Sequence, residues 1–163
     1  MAEYWNADIL VLGCGNVLFG DDGFGPAVAD YLHDRGDLPP GTSVINAGLS
    51  VRDVLFTIAL GERRPRVIIL VDAVDASRRP GEVFERDVRE IVACKVRDSS
   101  MHLHPTSHLL RELHDTCGVA VRIVSVQVHH IPDEVAPGLS DVVRCAVPTA
   151  GEKILDLVRS QAA

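Results

Sequence analysis

Two adjacent carboxylates, a third further along the chain and a cluster of imidazoles are the residues best placed to do chemistry. Asp21 and Asp22 stand in the loop Gly13-Cys14-Gly15-Asn16-Val17-Leu18-Phe19-Gly20-Asp21-Asp22-Gly23-Phe24-Gly25-Pro26. Asp72 closes the apolar run Val67-Ile68-Ile69-Leu70-Val71, and His102, His104 and His108 fall just before or within the first turn of a later helix. Two carboxylate oxygens and one imidazole nitrogen make a three-ligand site with open positions. Such a set suits a borderline divalent ion such as zinc or nickel better than calcium, which takes more oxygens. Without a metal, two carboxylates held close share a proton and one pKa rises, which is aspartic-type chemistry. Spacing alone leaves both open.

Each of these residues also has a plainer role. Asp-Asp-Gly suits an Asx turn or a helix N-cap, which accounts for one of the two acids. Asp72 can cap the turn after its strand, and an arbitrary histidine is a surface or core residue. Position argues for more than that, because ligands of open α/β sheets bind outside the carboxyl ends of the strands. His129 and His130 follow the last strand; they read as solvated loop residues that could line the same edge.

Four apolar segments position these groups. Ile9 to Leu12 and Val67 to Val71 are continuous runs, as in central strands buried on both faces. Ser43-Val44-Ile45 is shorter, and Ala120 to Val128 is interrupted by Arg122, Ser125 and Gln127. Gly81 to Asp87 alternates like an edge strand, and its short connection to the strand before it suits an antiparallel direction. Helical patterns lie between: Phe24, Val28, Tyr31 and Leu32 up to a stop at Gly36; Val51, Val54, Leu55 and Ile58 behind a Ser50 cap; Leu109, Leu110 and Leu113 from Pro105 or Thr106 to Gly118. From Ser140 a last helix carries Val143, Val147, Ala150, Ile154 and Val158, and Pro148 is expected to kink or split it. The alternation is that of an α/β layer fold with a mostly parallel sheet. With no repeat, linker or low-complexity stretch, residues 1–163 read as one domain.

Composition narrows the function. Sixteen Lys and Arg against 23 Asp and Glu leave a net charge of −7, which disfavours nucleic acid and anionic membranes, since both need a positive field. Apolar residues make up 47% but aromatics only 4%, so the core is aliphatic. The four cysteines form no Cys-x-x-Cys and read as reduced thiols of a cytoplasmic protein, an expectation that the start of the chain, without a signal-like segment, shares. Gly13-x-Gly15 looks like a dinucleotide fingerprint, but Leu18 replaces the third glycine and Asn46 the acid after the second strand. That leaves a nucleotide-binding α/β protein as a weak alternative.

Taken together, Gly13-Cys14-Gly15-Asn16-x-Leu18-x-x-Asp21-Asp22-Gly23-x-Gly25, then Asp72 after an apolar strand, then Ser100-x-His102 before a helix, resemble the nickel–iron hydrogenase maturation endopeptidases. The likeness runs from about Asp8 to Val158, and Trp5 to Pro26 is most similar to members that mature deazaflavin-reducing hydrogenases. The resemblance implies an α/β/α sandwich of about five strands and an endopeptidase that clips the C-terminal extension from a nickel-loaded large-subunit precursor. It implies a divalent metal on Asp22, Asp72 and His102, with nickel carried by the substrate, zinc or cadmium as surrogates, and no organic cofactor. The spacing to Pro105 and Leu113 favours His102 over His104 or His108. Asp22, Asp72 and Asp21 are the candidate catalytic carboxylates. Two departures stand out. The family's first-loop ligand is often Glu, one methylene longer than Asp22. Its Asp-x-Gly-Thr segment reads Asn46-Ala47-Gly48-Leu49 here, and Asn46 can be neither base nor strong ligand. That change keeps a second reading in view, a non-catalytic module that checks the large subunit for nickel.

Overall fold

A computed structural model describes residues 4–89 and 103–162 of the chain. Strands β1 (Ile9–Cys14), β2 (Thr42–Gly48), β3 (Val67–Val74), β4 (Val83–Arg86) and β5 (Ala120–Gln127) form one sheet, with helices α1 (Phe24–Arg35), α2 (Val51–Leu60), α3 (Leu103–Asp115) and α4 (Asp141–Ala162) around it. The strand order is β2-β1-β3-β5-β4. The first four strands of that order are parallel, and β4 pairs antiparallel with β5. Every residue of β1 and β3 is buried, as their unbroken apolar runs require.

Successive strand residues point to opposite faces, so each central strand feeds two cores. Ile9, Val11, Ile69 and Val71 pack with Phe24, Val28 and Leu32 of α1 and Ile154, Leu155 and Val158 of α4. Leu10, Leu12, Ile68 and Leu70 pack with Leu55 and Ile58 of α2 and Leu110 and Leu113 of α3. The result is the three-layer α/β/α sandwich, with the antiparallel edge strand where the 81–87 alternation places it.

Three local expectations differ from the structure. Ser50 precedes α2 but makes no side-chain cap bond; its own N–H donates to the Ala47 carbonyl at 2.8 Å and its carbonyl takes the Val54 N–H. Helix α3 includes Leu103, two residues before the expected start, so Pro105 sits in its first turn, where a missing N–H is tolerated. Helix α4 runs unbroken through Pro148. Proline removes one bond, whereas Val143, Ala146, Ala150, Ile154, Leu155 and Val158 all stay buried only if the helix continues.

The junction of β1 with α1 fixes where the first loop must go. A methyl group on Gly25 would lie 2.3 Å from the Cys14 carbonyl oxygen and 2.5 Å from that of Val71, and one on Gly13 would lie 2.2 Å from the Gly25 carbonyl oxygen. The close helix–strand approach that a dinucleotide loop assigns to its third glycine is made here by Gly25, because the helix starts later. Gly25→Ala is therefore expected to destabilise the fold by about 1–3 kcal/mol, as overpacked cores do. A thermal melt checks this, and an unchanged midpoint would contradict the packing.

Candidate active site at the carboxyl edge of the sheet

After β1 the chain turns through Gly15 and doubles back in a short 3-10 turn, Gly20–Gly23, before entering α1. The fold-back is tight: a Cβ on Gly15 would lie 1.9 Å from the Asp22 carbonyl oxygen. It presents the half-buried Asp22 beside the end of β1, where Asp22 Oδ2 accepts the Asn16 N–H at 2.9 Å. Asp72 arrives from β3, the neighbour of β1. The Cys14 thiol, buried and donating to the Val71 carbonyl at 3.3 Å, is within electrostatic reach of both acids. Burial most of all, then the charges of Asp72 and Asp22, push its pKa well up, against an opposing pull from Arg86. The two carboxylates thus converge at the β1/β3 boundary, where the strand order reverses and open α/β sheets place their ligands.

Asp72 is nearly inaccessible and held on both oxygens. Its Oδ1 accepts the Ser125 hydroxyl at 2.5 Å and its Oδ2 accepts Arg86 Nη2 at 2.8 Å. Arg86 Nε also donates to Ser125 Oγ at 2.9 Å, closing a three-residue ring. The sheet register explains it, since Ser125 of β5 stands opposite Asp72 of β3 on one side and Phe84 of β4 on the other. Neither Ser125 nor Arg86 stands out in the sequence as a site residue. The signal for Ser125 was its interruption of the β5 apolar run. The other two interruptions also brace the edge: Arg122 Nη2 donates to Glu85 at 2.8 Å, and Gln127 Oε1 accepts the Ala76 and Arg78 N–H groups at 2.8 and 3.0 Å.

Asp21 has a different job from its neighbour. It is fully buried, and its carboxylate accepts the backbone N–H groups of Ser140 (2.7 Å), His129 (2.8 Å) and His130 (3.1 Å) and the Ser140 hydroxyl (2.9 Å). Burial favours the neutral acid, but the bonds from Ser140, His130 and His129 outweigh it and hold the pKa below the ordinary value. A carboxylate with four donors is held fast, so Asp21 anchors the loop after β5. His129 and His130 reach this knot through their backbone and leave their side chains exposed. His108 is exposed on α3. Asn46 is exposed and donates to Asp30 at 3.2 Å. His102 lies outside the described residues, as does the side chain of His104. Among the described residues no group of three His, Cys, Asp or Glu could hold a metal ion. Asp22 and Asp72 supply hard oxygen donors at this edge.

The fold is an α/β sandwich that carries two carboxylates at the carboxyl edge of its sheet, by the β1/β3 boundary. Comparison with known proteins makes the class specific. Residues 26–157 match the hydrogenase maturation protease family typified by HycI. A Methanocaldococcus jannaschii protein provisionally named a hydrogenase maturation protease is 38% identical over 154 residues, 93% of this chain and 97% of its own. The delta subunit of the coenzyme F420 hydrogenase of Methanothermobacter thermautotrophicus is 36% identical, covering 93% and 95%. The hydrogenase maturating endopeptidase HybD from E. coli superposes with a TM-score of 0.74 at 27% identity, over 94% of this chain and 93% of that one. The chain belongs to the hydrogenase maturation proteases, and it is an endopeptidase.

The Asp21 knot sets a pH dependence. Its folded pKa lies below the unfolded one, so its contribution to stability is complete above the unfolded value, near 4, and fades as pH falls through the folded value. Asp21→Asn, which turns an amide toward donors, is expected to lose about 1–3 kcal/mol at pH 7. The deficit should shrink as melts are taken from pH 5 toward pH 2. A deficit independent of pH would show that the carboxylate charge is not what holds the loop.

Proposed function

We propose that this endopeptidase removes the C-terminal extension of a nickel-loaded hydrogenase large-subunit precursor, and that its site receives the nickel ion carried by that substrate. The observation that carries the reading is the convergence of Asp22 and Asp72 at the switch point, on either side of the buried Cys14 thiol at the end of β1. In this reading His102, from the segment preceding α3, completes the set. Two carboxylates and an imidazole suit a borderline dication, so zinc or cadmium would serve as surrogates, and no organic cofactor is required. The ion supplies Lewis acidity toward the scissile carbonyl or its attacking water.

The chain's own residues divide the remaining work. Asp72 is held in one orientation by Arg86 and Ser125, so it acts as a fixed ligand. Asp22 is half-buried on a short loop, and with Asp21 committed to the 128–140 segment it is the carboxylate left to orient water or take its proton. Hydrolysis is then of the aspartic, metal-assisted kind. The protein carries a net charge of −7, and no helix among the described residues is long and apolar enough to cross a membrane. We place the reaction in the cytoplasm, with a polypeptide partner and neither nucleic acid nor membrane.

The test is the mass of nickel-loaded precursor after incubation with this protein. Loss of a C-terminal peptide is expected, and an unchanged mass would sink the assignment in favour of a non-cleaving nickel-checking module. Asp22→Asn should slow cleavage by about 10²–10⁴-fold, the usual contribution of a positioned acid or base. Its melting midpoint should stay within roughly 5 °C of the wild type, since an amide oxygen still accepts the Asn16 N–H. Cleavage by this variant at the wild-type rate removes Asp22 from the mechanism.

A further inference from the structure

We infer that Val17, Leu18, Ile131 and Val135 form an apolar rim on which the protein substrate seats an aliphatic patch of its own surface. The rim is an anchor beside the site that sets recognition of the substrate and takes no part in bond cleavage. It deepens the reading above, and rests on it for the identity of the substrate as the hydrogenase large-subunit precursor.

Large apolar side chains that stand in solvent gather at this end of the molecule. Val17 and Leu18 belong to the loop that carries Asp22, and Ile131 and Val135 to the segment that follows β5; all four are between 40% and 64% exposed. Backbone bonds zip the two segments together. The Leu18 carbonyl accepts the Ala136 N–H at 2.8 Å, the Ala136 carbonyl accepts the Gly20 N–H at 2.9 Å, and Phe19 stands opposite Ala136 in a parallel bridge. That register sets Leu18 beside Val135. A Cβ on Gly20 would meet the Pro132 ring at 2.8 Å, so the start of the second segment also lies against the first loop. Residues far apart in the chain thus make one surface. Single exposed hydrophobic residues are ordinary, whereas a contiguous group of them marks a contact.

The place of the rim says what covers it. Val17 follows Asn16, whose N–H donates to Asp22 Oδ2 at 2.9 Å, so the rim begins one residue from the candidate site. An endopeptidase must receive a polypeptide at that edge, and the chain flanking the scissile bond passes over whatever borders it. A second copy of this chain seated there would obstruct the entry. The rim is also preformed, because Asp21 ties the first loop to the backbone of His129, His130 and Ser140. A surface already in place binds without the ordering that a mobile loop would need. Its valine, leucine and isoleucine side chains can neither move a proton nor hold an ion. Their contacts act equally on bound substrate and transition state, and so are felt in KM and not in kcat.

Steady-state cleavage of nickel-loaded precursor by the full-length protein tests this, with binding to immobilised precursor read in parallel. The double variant Leu18→Asp with Val135→Asp is expected to raise KM and weaken binding by at least about tenfold, the size of a lost interface anchor. Its kcat should stay within about twofold of the wild type. Its melting midpoint should stay within roughly 5 °C, since only exposed side chains change and the backbone bonds between the segments remain. Leu18→Met with Val135→Ile, which keeps the rim apolar, should match the wild type. So should Leu60→Asp, which alters an exposed leucine on α2. An unchanged KM and affinity in the aspartate double variant, or a fall in kcat at constant KM, overturns the rim's role. A wild type that sediments as a dimer, and a double variant that sediments as a monomer, overturns it too, because a second copy would then be the occupant. If the wild type binds the precursor without shortening it, the peptidase assignment fails, and the binding affinities alone still decide for or against the rim.

Discussion

A buried ion pair, Asp72 with Arg86, is the constraint around which the site end of the sheet is arranged. Burying an isolated carboxylate in an apolar sheet is costly, and the ordinary escape is to take up a proton. Here the acid sits on the central strand β3, with β1 on one side and β5 on the other. A guanidinium reaches it across β5 from the edge strand. That fixes several other features. The edge strand must run antiparallel beside β5, so that Arg86 stands two residues past the position opposite Ser125. Position 125 must carry a small hydroxyl, which fits between the two charges and bonds to both. Breaking such a pair strands a charge in the interior, so Arg86 and Asp72 are bound to each other for stability as much as for chemistry.

The adjacent acids Asp21 and Asp22 show how one turn of backbone splits two identical side chains into opposite roles. In the 3-10 turn successive residues point in different directions. Asp21 faces inward to the loop after β5, and Asp22 faces the end of β1. The inward acid meets three backbone N–H groups and a hydroxyl, a set that only an anion satisfies well. In return it pins the 128–140 segment against the first loop, a contact that the isolated bridge between Phe19 and Ala136 extends. The outward acid keeps a position beside the switch point because the inward one makes its loop rigid. A catalytic loop of this length would otherwise be mobile.

The parts of this arrangement legible in the sequence are those that repeat with a period. Unbroken runs at Ile9–Leu12 and Val67–Val71 specify central strands, the alternation of residues 81–87 specifies an edge, and the 3.6-residue spacing of Val28, Leu32 and their neighbours specifies helices. Asp22 and Asp72 are legible because they sit at the ends of such elements. What was not legible depends on pairing between distant strands. Nothing near Arg86 in the chain says that it faces Asp72, since the link is made by the β3–β5–β4 register. The partners of Asp21 were not legible for the same reason: they lie more than a hundred residues away, while an Asp-Asp-Gly sequence suggests local capping. Pro148 shows the converse, a local signal that does not split the helix because tertiary burial holds one face together.

The three interruptions of the β5 run then acquire a single meaning. Ser125 and Gln127 share one face of β5 and Arg122 lies on the other, and each bonds to β4 or to the connection that leads into it. An apolar strand would pack as well against its helices, but it would leave a four-residue edge strand with little beyond its ladder to hold its register. Register is what matters here, because slipping β4 by one residue would turn Arg86 to the opposite face of the sheet and leave Asp72 without its cation. The polar residues of β5 thus serve Asp72 at one remove. They are placed to keep an edge strand in step, so that a single guanidinium stays opposite a single carboxylate.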